Sequence, residues 1–136
     1  MIADSNIVID LLFGDSERAE RVLEIYAAQR ARQPIYINRV IFAESASASP
    51  SLESFEERLH GLGLEIASMS NAAAFRASGA FREYRRKGGP RNAILPDFLI
   101  GAHAAVKGWP ILTRDPKRFG SYFPEVELID PMADQA

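Results

Sequence analysis

The chain has 136 residues, of which 47% are hydrophobic and 25% are charged, which is the composition of an ordinary globular protein long enough for a real core. It contains no cysteine, which excludes disulfides, thiolate zinc sites and cysteine nucleophiles. The formal net charge is −2 at pH 7, so any binding of nucleic acid has to rely on a local basic patch instead of a global field.

The first half of the chain alternates short apolar segments with helical patterns. In chain order these predict a strand at 1–4, helices at 5–12 and 16–32, a strand at 35–37, and a helix that runs through Ala46 behind an Asn38 cap. Ser49 and Pro50 then predict the cap and first residue of another helix. We expect this helix to bury Leu52 and to be ended by Gly61 and Gly63.

The second half continues the same alternation. Its predicted elements are a strand at 64–67, helices at 70–87 and 96–107, a strand at 110–113, a helical turn at 116–119 and a strand at 126–129. Strands that alternate with helices indicate an α/β fold with a parallel sheet covered on both faces. We expect one domain over residues 1–132 and a frayed tail at 133–136. Neither a membrane-spanning run nor a signal peptide is recognisable, so the cytoplasm is the expected location.

Four carboxylates lie where a short apolar segment gives way to a loop or a helix: Asp4, Glu44, Asp97 and Asp115. In open α/β sheets, functional sites form beyond the carboxyl ends of the strands. Acids that converge there repel one another unless a hard cation holds them, and Mg²⁺ or Mn²⁺ suits carboxylate oxygens. The set therefore points to metal-dependent phosphoryl chemistry.

Each of these acids also has a purely structural interpretation. Asp4 could be a helix N-cap, and Asp115 could be an Asx-turn residue before proline. Glu44 is predicted on the same helix face as the apolar residues 40–41, where a salt bridge with an arginine would satisfy it. Asp97 in the first turn of an apolar helix could simply interact with the helix dipole. One acid at each strand end is the pattern that favours a site.

Other chemistries find less support. His60 lies on a polar helix face and His103 inside an apolar helix, and neither has a serine and an acid at triad spacing, so both are expected to be structural. Asp10 is expected to face solvent or to support the site. The chain has no G-x-x-x-x-G-K-[ST] or G-x-G-x-x-G motif, which excludes nucleotide binding through those loops.

A basic cluster runs from the end of the long helix into the glycine-rich loop: Arg82, Arg85, Arg86, Lys87 and Arg91. These cations could simply be a solvated helix end that complements the helix dipole. They could also form a phosphate-contacting ridge next to the acids, because a polyanionic substrate needs cations for its backbone. The functional interpretation is favoured for Arg91, which is nearest in sequence to Asp97.

The four acidic segments together resemble the motifs of the PIN-domain nucleases, in particular the VapC-type toxins of bacterial toxin–antitoxin pairs. Residues 4–10 (DSNIVID), 38–44 (NRVIFAE) and 97–104 (DFLIGAHA) look like the first three motifs. Residues 112–115 (LTRD), followed by Phe119, are similar to the fourth. The resemblance extends from residue 1 to about residue 130.

This resemblance implies a three-layer α/β/α sandwich on a mainly parallel, roughly five-stranded sheet, usually in a homodimer. It implies a Mg²⁺- or Mn²⁺-dependent endoribonuclease that is inhibited by a cognate antitoxin protein, with RNA as the substrate. The implied ligands and catalytic acids are Asp4, Glu44, Asp97 and Asp115, supported by Ser5 and Thr113. The candidate RNA contacts are Arg91, Arg86 and Lys87.

Two other functions remain open from the sequence. One is a catalytically degenerate PIN fold that acts only as a binding module, against which the retention of all four acids argues. The other is a different Mg²⁺-dependent α/β phosphohydrolase. A haloacid-dehalogenase-type phosphatase wants D-x-D after its first strand, whereas this chain has Asp4-Ser5-Asn6, and a receiver domain wants a second acid next to Asp4.

Overall fold

The computed structural model describes residues 1–90 and 95–133, within which five short strands alternate with seven helices. The elements are β1 (Ile2–Ala3), α1 (Ser5–Phe13), α2 (Glu17–Arg30), β2 (Ile35–Ile37), α3 (Arg39–Ala46), α4 (Leu52–Leu62), β3 (Leu64–Ile66), α5 (Asn71–Arg86), α6 (Leu95–Lys107), β4 (Ile111–Leu112), α7 (Lys117–Gly120) and β5 (Leu128–Ile129).

The strands form one sheet in the order β3-β2-β1-β4-β5, and every neighbouring pair is parallel. The chain moves outward from β1 to β3 and then returns to the other side of β1 as β4. Because connections between parallel strands are right-handed, helices before this return and helices after it cover opposite faces of the sheet. The predicted α/β class and the three-layer architecture on a five-stranded sheet are confirmed.

The return of the chain makes the junction of β1 and β4 the point where the winding direction reverses. Ile2 pairs with Ile111 and Ala3 with Leu112, and the Asp4 backbone N–H donates to the Leu112 carbonyl oxygen at 2.9 Å. Ligands of open α/β sheets bind in the crevice outside the carboxyl ends of the strands at such a reversal. The residues that follow these two strands, Asp4 and Thr113, therefore lie at the expected place for a site.

The centre of the core is formed by the strands and the apolar helix α6, and every other helix contributes buried side chains to it. The side chains of β1, β4 and the ends of β2 are fully buried, as expected for a parallel sheet with helices on both faces. In α6, Gly101 has no side chain where the Phe123 ring packs, and a Cβ there would come within 2.3 Å of the ring. Gly101 thus allows the close packing that fixes α6, and with it Asp97, against the rest of the core.

The start of α4 differs from the sequence prediction. The N-cap is Ser51, whose hydroxyl accepts from the Ser54 N–H at 3.1 Å, whereas the Ser49 N–H closes the turn after α3 by donating to the Ala46 carbonyl oxygen. The predicted burial of Leu52 is wrong, because this first residue of the helix is 62% exposed.

The predicted frayed tail at 133–136 lies outside the described residues, apart from Ala133. No helix among the described residues combines the length and the apolar character that crossing a membrane requires.

Candidate active site

Asp4 is a fully buried carboxylate at the carboxyl end of β1. It is the N-cap of α1, and its Oδ1 accepts from the Ser5 backbone N–H at 2.7 Å. Its Oδ2 accepts from the Thr113 hydroxyl at 2.8 Å, across the reversal point of the sheet. A carboxylate removed from water in this way is costly unless charge and hydrogen bonds compensate it. Asp4 therefore combines the capping role with a place in the candidate site.

The compensating charge comes from Arg118 on α7. Its Nη2 donates to Asp4 Oδ2 at 2.9 Å and to Asp4 Oδ1 at 3.1 Å. The same nitrogen lies 2.9 Å from Asp97 Oδ1 at the start of α6. A single guanidinium nitrogen thus bridges two of the four predicted ligands. The sequence motifs gave no signal for this role, because Arg118 is 114 residues from Asp4 along the chain.

Asp97 feels the other three acids. Partial burial and the charges of Asp4, Glu44 and Asp115 raise its pKa, Arg118 opposes them, and the net result is a pKa of about 6. Like charges disfavour ionisation of a neighbour only at short range. Asp4, Glu44 and Asp115 therefore lie close enough to Asp97 to affect its ionisation, although the role of the four acids as metal ligands remains a prediction.

Glu44 lies on the surface of α3, near the other three acids. The expectation that it shares a buried helix face is wrong, because Glu44 is exposed and Ser45 takes the buried position, donating its hydroxyl to the Ile41 carbonyl oxygen at 2.7 Å. Partial desolvation of the Glu44 carboxyl still raises its pKa, and a hydrogen bond from the Ser5 hydroxyl opposes this effect. Ser5 thus interacts with both Glu44 and Asp4.

The loop after β4 is fixed by Thr113 and Asn6. The Thr113 hydroxyl oxygen accepts from the Asp115 backbone N–H at 3.0 Å while it donates to Asp4. Asn6 Oδ1 accepts from the Arg114 backbone N–H at 3.2 Å. Asp115 itself is exposed at the rim. Thr113 therefore has the geometry of the predicted supporting residue, and Asn6, in the first acidic segment, is a further support that the motif did not predict.

Two further polar residues brace the site from behind. Asp10 is only 4% exposed and pairs with Arg114 Nε at 2.6 Å and with Arg18 Nη2 at 3.4 Å, so it supports the structure and does not face solvent. Asn38 caps α3 and its side-chain nitrogen lies 3.2 Å from Nδ1 of the fully buried His103.

Two of the three candidate RNA contacts, Arg86 and Lys87, lie among the described residues, at the end of α5. Arg86 binds both carboxylate oxygens of Glu83, at 2.8 and 2.7 Å, and Lys87 lies 3.7 Å from the same carboxylate. Both cations are exposed at the end of α5. Arg91 lies outside the described residues. RNA contact by these residues remains a prediction.

The donor set at the site suits a hard divalent cation, because every candidate ligand is a carboxylate. In this arrangement no three acidic or histidine side chains of residues 1–90 and 95–133 are grouped closely enough to form a ready-made metal site. A cation is nevertheless already there, since Arg118 is shared by Asp4 and Asp97. The site thus needs positive charge, and the residues present fit a metal ion that could supply it.

The sheet order and the acidic reversal point define a class of α/β proteins, and comparison with known proteins identifies the family. The profile of the PIN domain matches residues 1–122, so the chain belongs to the PIN-domain family. No curated protein sequence matches it.

Solved structures share the fold at low sequence identity. DNA-bound VapBC from Salmonella typhimurium matches with a TM-score of 0.70 and 22% identity over 96% of both chains. VapBC2 from Rickettsia felis, bound to a DNA fragment from its promoter, has a TM-score of 0.68 and 22% identity over 95% of this chain and 96% of the other. A toxin–antitoxin complex from Klebsiella pneumoniae gives 0.67 and 23% over 98% of both.

Proposed function

We propose that this chain is a divalent-metal-dependent endoribonuclease that acts as the toxin of a toxin–antitoxin pair. The observation that carries the proposal is the sharing of one cation by Asp4 and Asp97 at the reversal point of the sheet, with Glu44 and Asp115 close enough to raise the Asp97 pKa. Membership of the PIN-domain family supports it.

Asp4, Asp97, Glu44 and Asp115 would hold Mg²⁺ or Mn²⁺. When bound, the ion lowers the pKa of a water and neutralises charge that develops at the phosphorus centre. Thr113 and the Ser5 N–H fix the two Asp4 oxygens, which gives a preorganised ligand at the buried end of the site. Glu44, at the exposed side and with a raised pKa, is suited to orient a water or accept a proton.

The substrate and the partners follow from the same proposal. An RNA phosphate backbone needs cations beside the acids, and Arg86, Lys87 and Arg91 precede the helix that carries Asp97. The similar solved structures come from toxin–antitoxin complexes, which supports a cognate antitoxin as the partner of this chain. We also propose a homodimer, for which the 81% exposed Phe75 on α5 offers an apolar contact.

The test of the activity is cleavage of RNA by the purified, antitoxin-free chain. A mixed pool of tRNA and ribosomal RNA with Mg²⁺ or Mn²⁺ should give discrete fragments, and EDTA should abolish them. Asp97→Asn should reduce cleavage by at least about a hundredfold, because it removes a ligand charge with almost no change in volume, and loss of one preorganised electrostatic contact costs that much in other enzymes.

The matched control is Glu57→Gln, which removes the same charge from an exposed position on α4 and should cleave like the wild type. Full cleavage by a folded Asp97→Asn protein would show that the chemistry lies elsewhere. Absence of cleavage, together with no metal binding by calorimetry, would favour a degenerate binding module.

A further inference from the structure

Arg118 is held by the acids of the candidate site and by no other acid among the ion pairs of the described residues. Its Nη2 contacts Asp4 and Asp97, while its Nε is buried without a hydrogen-bond partner in the part of the chain that the structure describes. The guanidinium is therefore attached through one of its nitrogens.

Arg114, four residues earlier, also has an Nε without a hydrogen-bond partner among the described residues, but it pairs with a different acid. Its Nε lies 2.6 Å from Asp10, an acid outside the predicted ligand set that also pairs with Arg18. Arg114 thus neutralises a structural acid, and Arg118 neutralises the two acids that a metal ion would need. The two arginines of this segment have separate electrostatic partners.

We propose that Arg118 is an exchangeable counter-ion, which holds Asp4 and Asp97 together before metal binds and which the divalent cation must displace. This rests on the proposed metal-dependent function and adds a residue to it. A metal ion and the Arg118 guanidinium cannot both occupy the space between the Asp4 and Asp97 carboxylates. Metal binding therefore breaks the Arg118 contacts, and the apparent metal affinity is reduced by what those contacts contribute.

Arg118 acts here as a positioning residue with a measurable signature. Hydrogen bonds to charged groups contribute enough that their removal corresponds to about a tenfold change in an equilibrium constant, or more. Arg118→Met should therefore bind Mn²⁺ on the order of tenfold more tightly than the wild type. A residue with a merely structural role would change the affinity in the opposite direction, because its loss would loosen the ligands.

The first measurement is calorimetric titration of metal-free protein with Mn²⁺. Lys117→Met is the matched control, since it removes the same charge from the adjacent exposed position and should stay within about twofold of the wild type. Arg118→Met should also unfold at a lower temperature without metal, because the fully buried Asp4 loses its counter-ion, and Mn²⁺ should raise its unfolding temperature more than that of the wild type. Should Arg118→Met fail to fold, Arg118→Lys keeps the charge without the planar fork and should show the same changes in smaller degree.

The second measurement follows the guanidinium itself by NMR of ¹⁵N-arginine-labelled wild-type protein. The Arg118 Nε–H signal is assigned by its loss in the Arg118→Lys variant. Saturating Mg²⁺ should shift that signal, whereas the Arg114 signal, fixed by Asp10, should stay in place.

The outcomes separate this proposal from the proposed function. Equal Mn²⁺ affinity in the wild type and Arg118→Met, or weaker binding by the variant, would overturn the exchange while leaving a metal-dependent enzyme intact. An Arg118 signal that does not respond to Mg²⁺ in a protein that binds it would do the same. No metal binding by any variant would overturn both proposals.

Discussion

Asp97 shows how single residues in this site oppose one another. Burial and three neighbouring carboxylates favour its neutral form, and Arg118 favours its charged form. The net result is a pKa raised from 3.8 to about 6, so the unfavourable effects dominate in the metal-free protein. A divalent cation bound at this predicted site would favour the charged form of the Asp97 carboxyl and so lower its pKa.

The raised pKa makes a prediction about stability and pH. The folded protein keeps the Asp97 proton up to about pH 6, whereas the unfolded chain loses it near 3.8, so Asp97 lowers the free energy of unfolding as pH rises between these values. Relative to Asp97→Asn, metal-free wild type should therefore lose stability from about pH 4 to about pH 6 and change little above it. Urea unfolding of both proteins across this range measures the difference. A difference that is flat or that rises with pH would contradict the assigned balance.

Single residues also show how much of the site could be predicted from the sequence. The four acids were recognisable because each follows an apolar segment, and position relative to a strand is a local property. Arg118 was not recognisable, because which charge pairs with Asp4 depends on contacts between distant parts of the chain. The spacing of Glu44 from residues 40 and 41 correctly identifies them as neighbours on the helix. It does not show which of these neighbours faces the core and which faces solvent, so the expected burial of Glu44 was wrong.

At the scale of elements, apolar periodicity predicted most of the helices, and the Asn38 cap predicted the start of α3. Ser16, Asn38 and Ser70 each accept a hydrogen bond from the backbone N–H three residues later, as N-caps do. The start of α4 was missed because Ser49 and Ser51 are both capable caps on either side of Pro50, and the Ser49 N–H is used to close the turn after α3. The end of α4 was predicted at Gly61 and Gly63 together, but in the structure Gly61 lies inside the helix and Gly63 caps it.

Gly61 and Gly63 should respond in opposite directions to alanine. Gly61 lies inside α4, and an added Cβ would meet nothing within 4 Å, so Gly61→Ala should stabilise the protein by up to about 1 kcal/mol. Gly63 caps the helix with φ of 73°, a left-handed conformation, so Gly63→Ala should destabilise it by about 1 kcal/mol or more.

Chemical denaturation of the two variants against the wild type measures both changes. The pair controls for composition, because the same substitution is made two residues apart. Equal effects of the two substitutions would contradict the assigned end of α4.

At the scale of the whole molecule, alternation of strands and helices was sufficient to predict a covered parallel sheet. The order of the strands was not predictable in the same way. Nothing local in β1 or β4 shows that they are neighbours, since their pairing joins Ile2 to Ile111. That pairing places Asp4 next to Thr113 and creates the site, so the site depends on a contact between segments 109 residues apart along the chain.

This long-range closure has a consequence for the order of synthesis. A ribosome delivers Asp4 first, and its partners Thr113 and Arg118 follow 109 and 114 residues later. A nascent chain that has emerged as far as β3 carries Asp4 and Glu44 but lacks Asp97, Asp115 and the strand that positions Thr113. The acidic centre is therefore assembled only after β4 and α7 have emerged, and a product terminated before them carries no working copy of it.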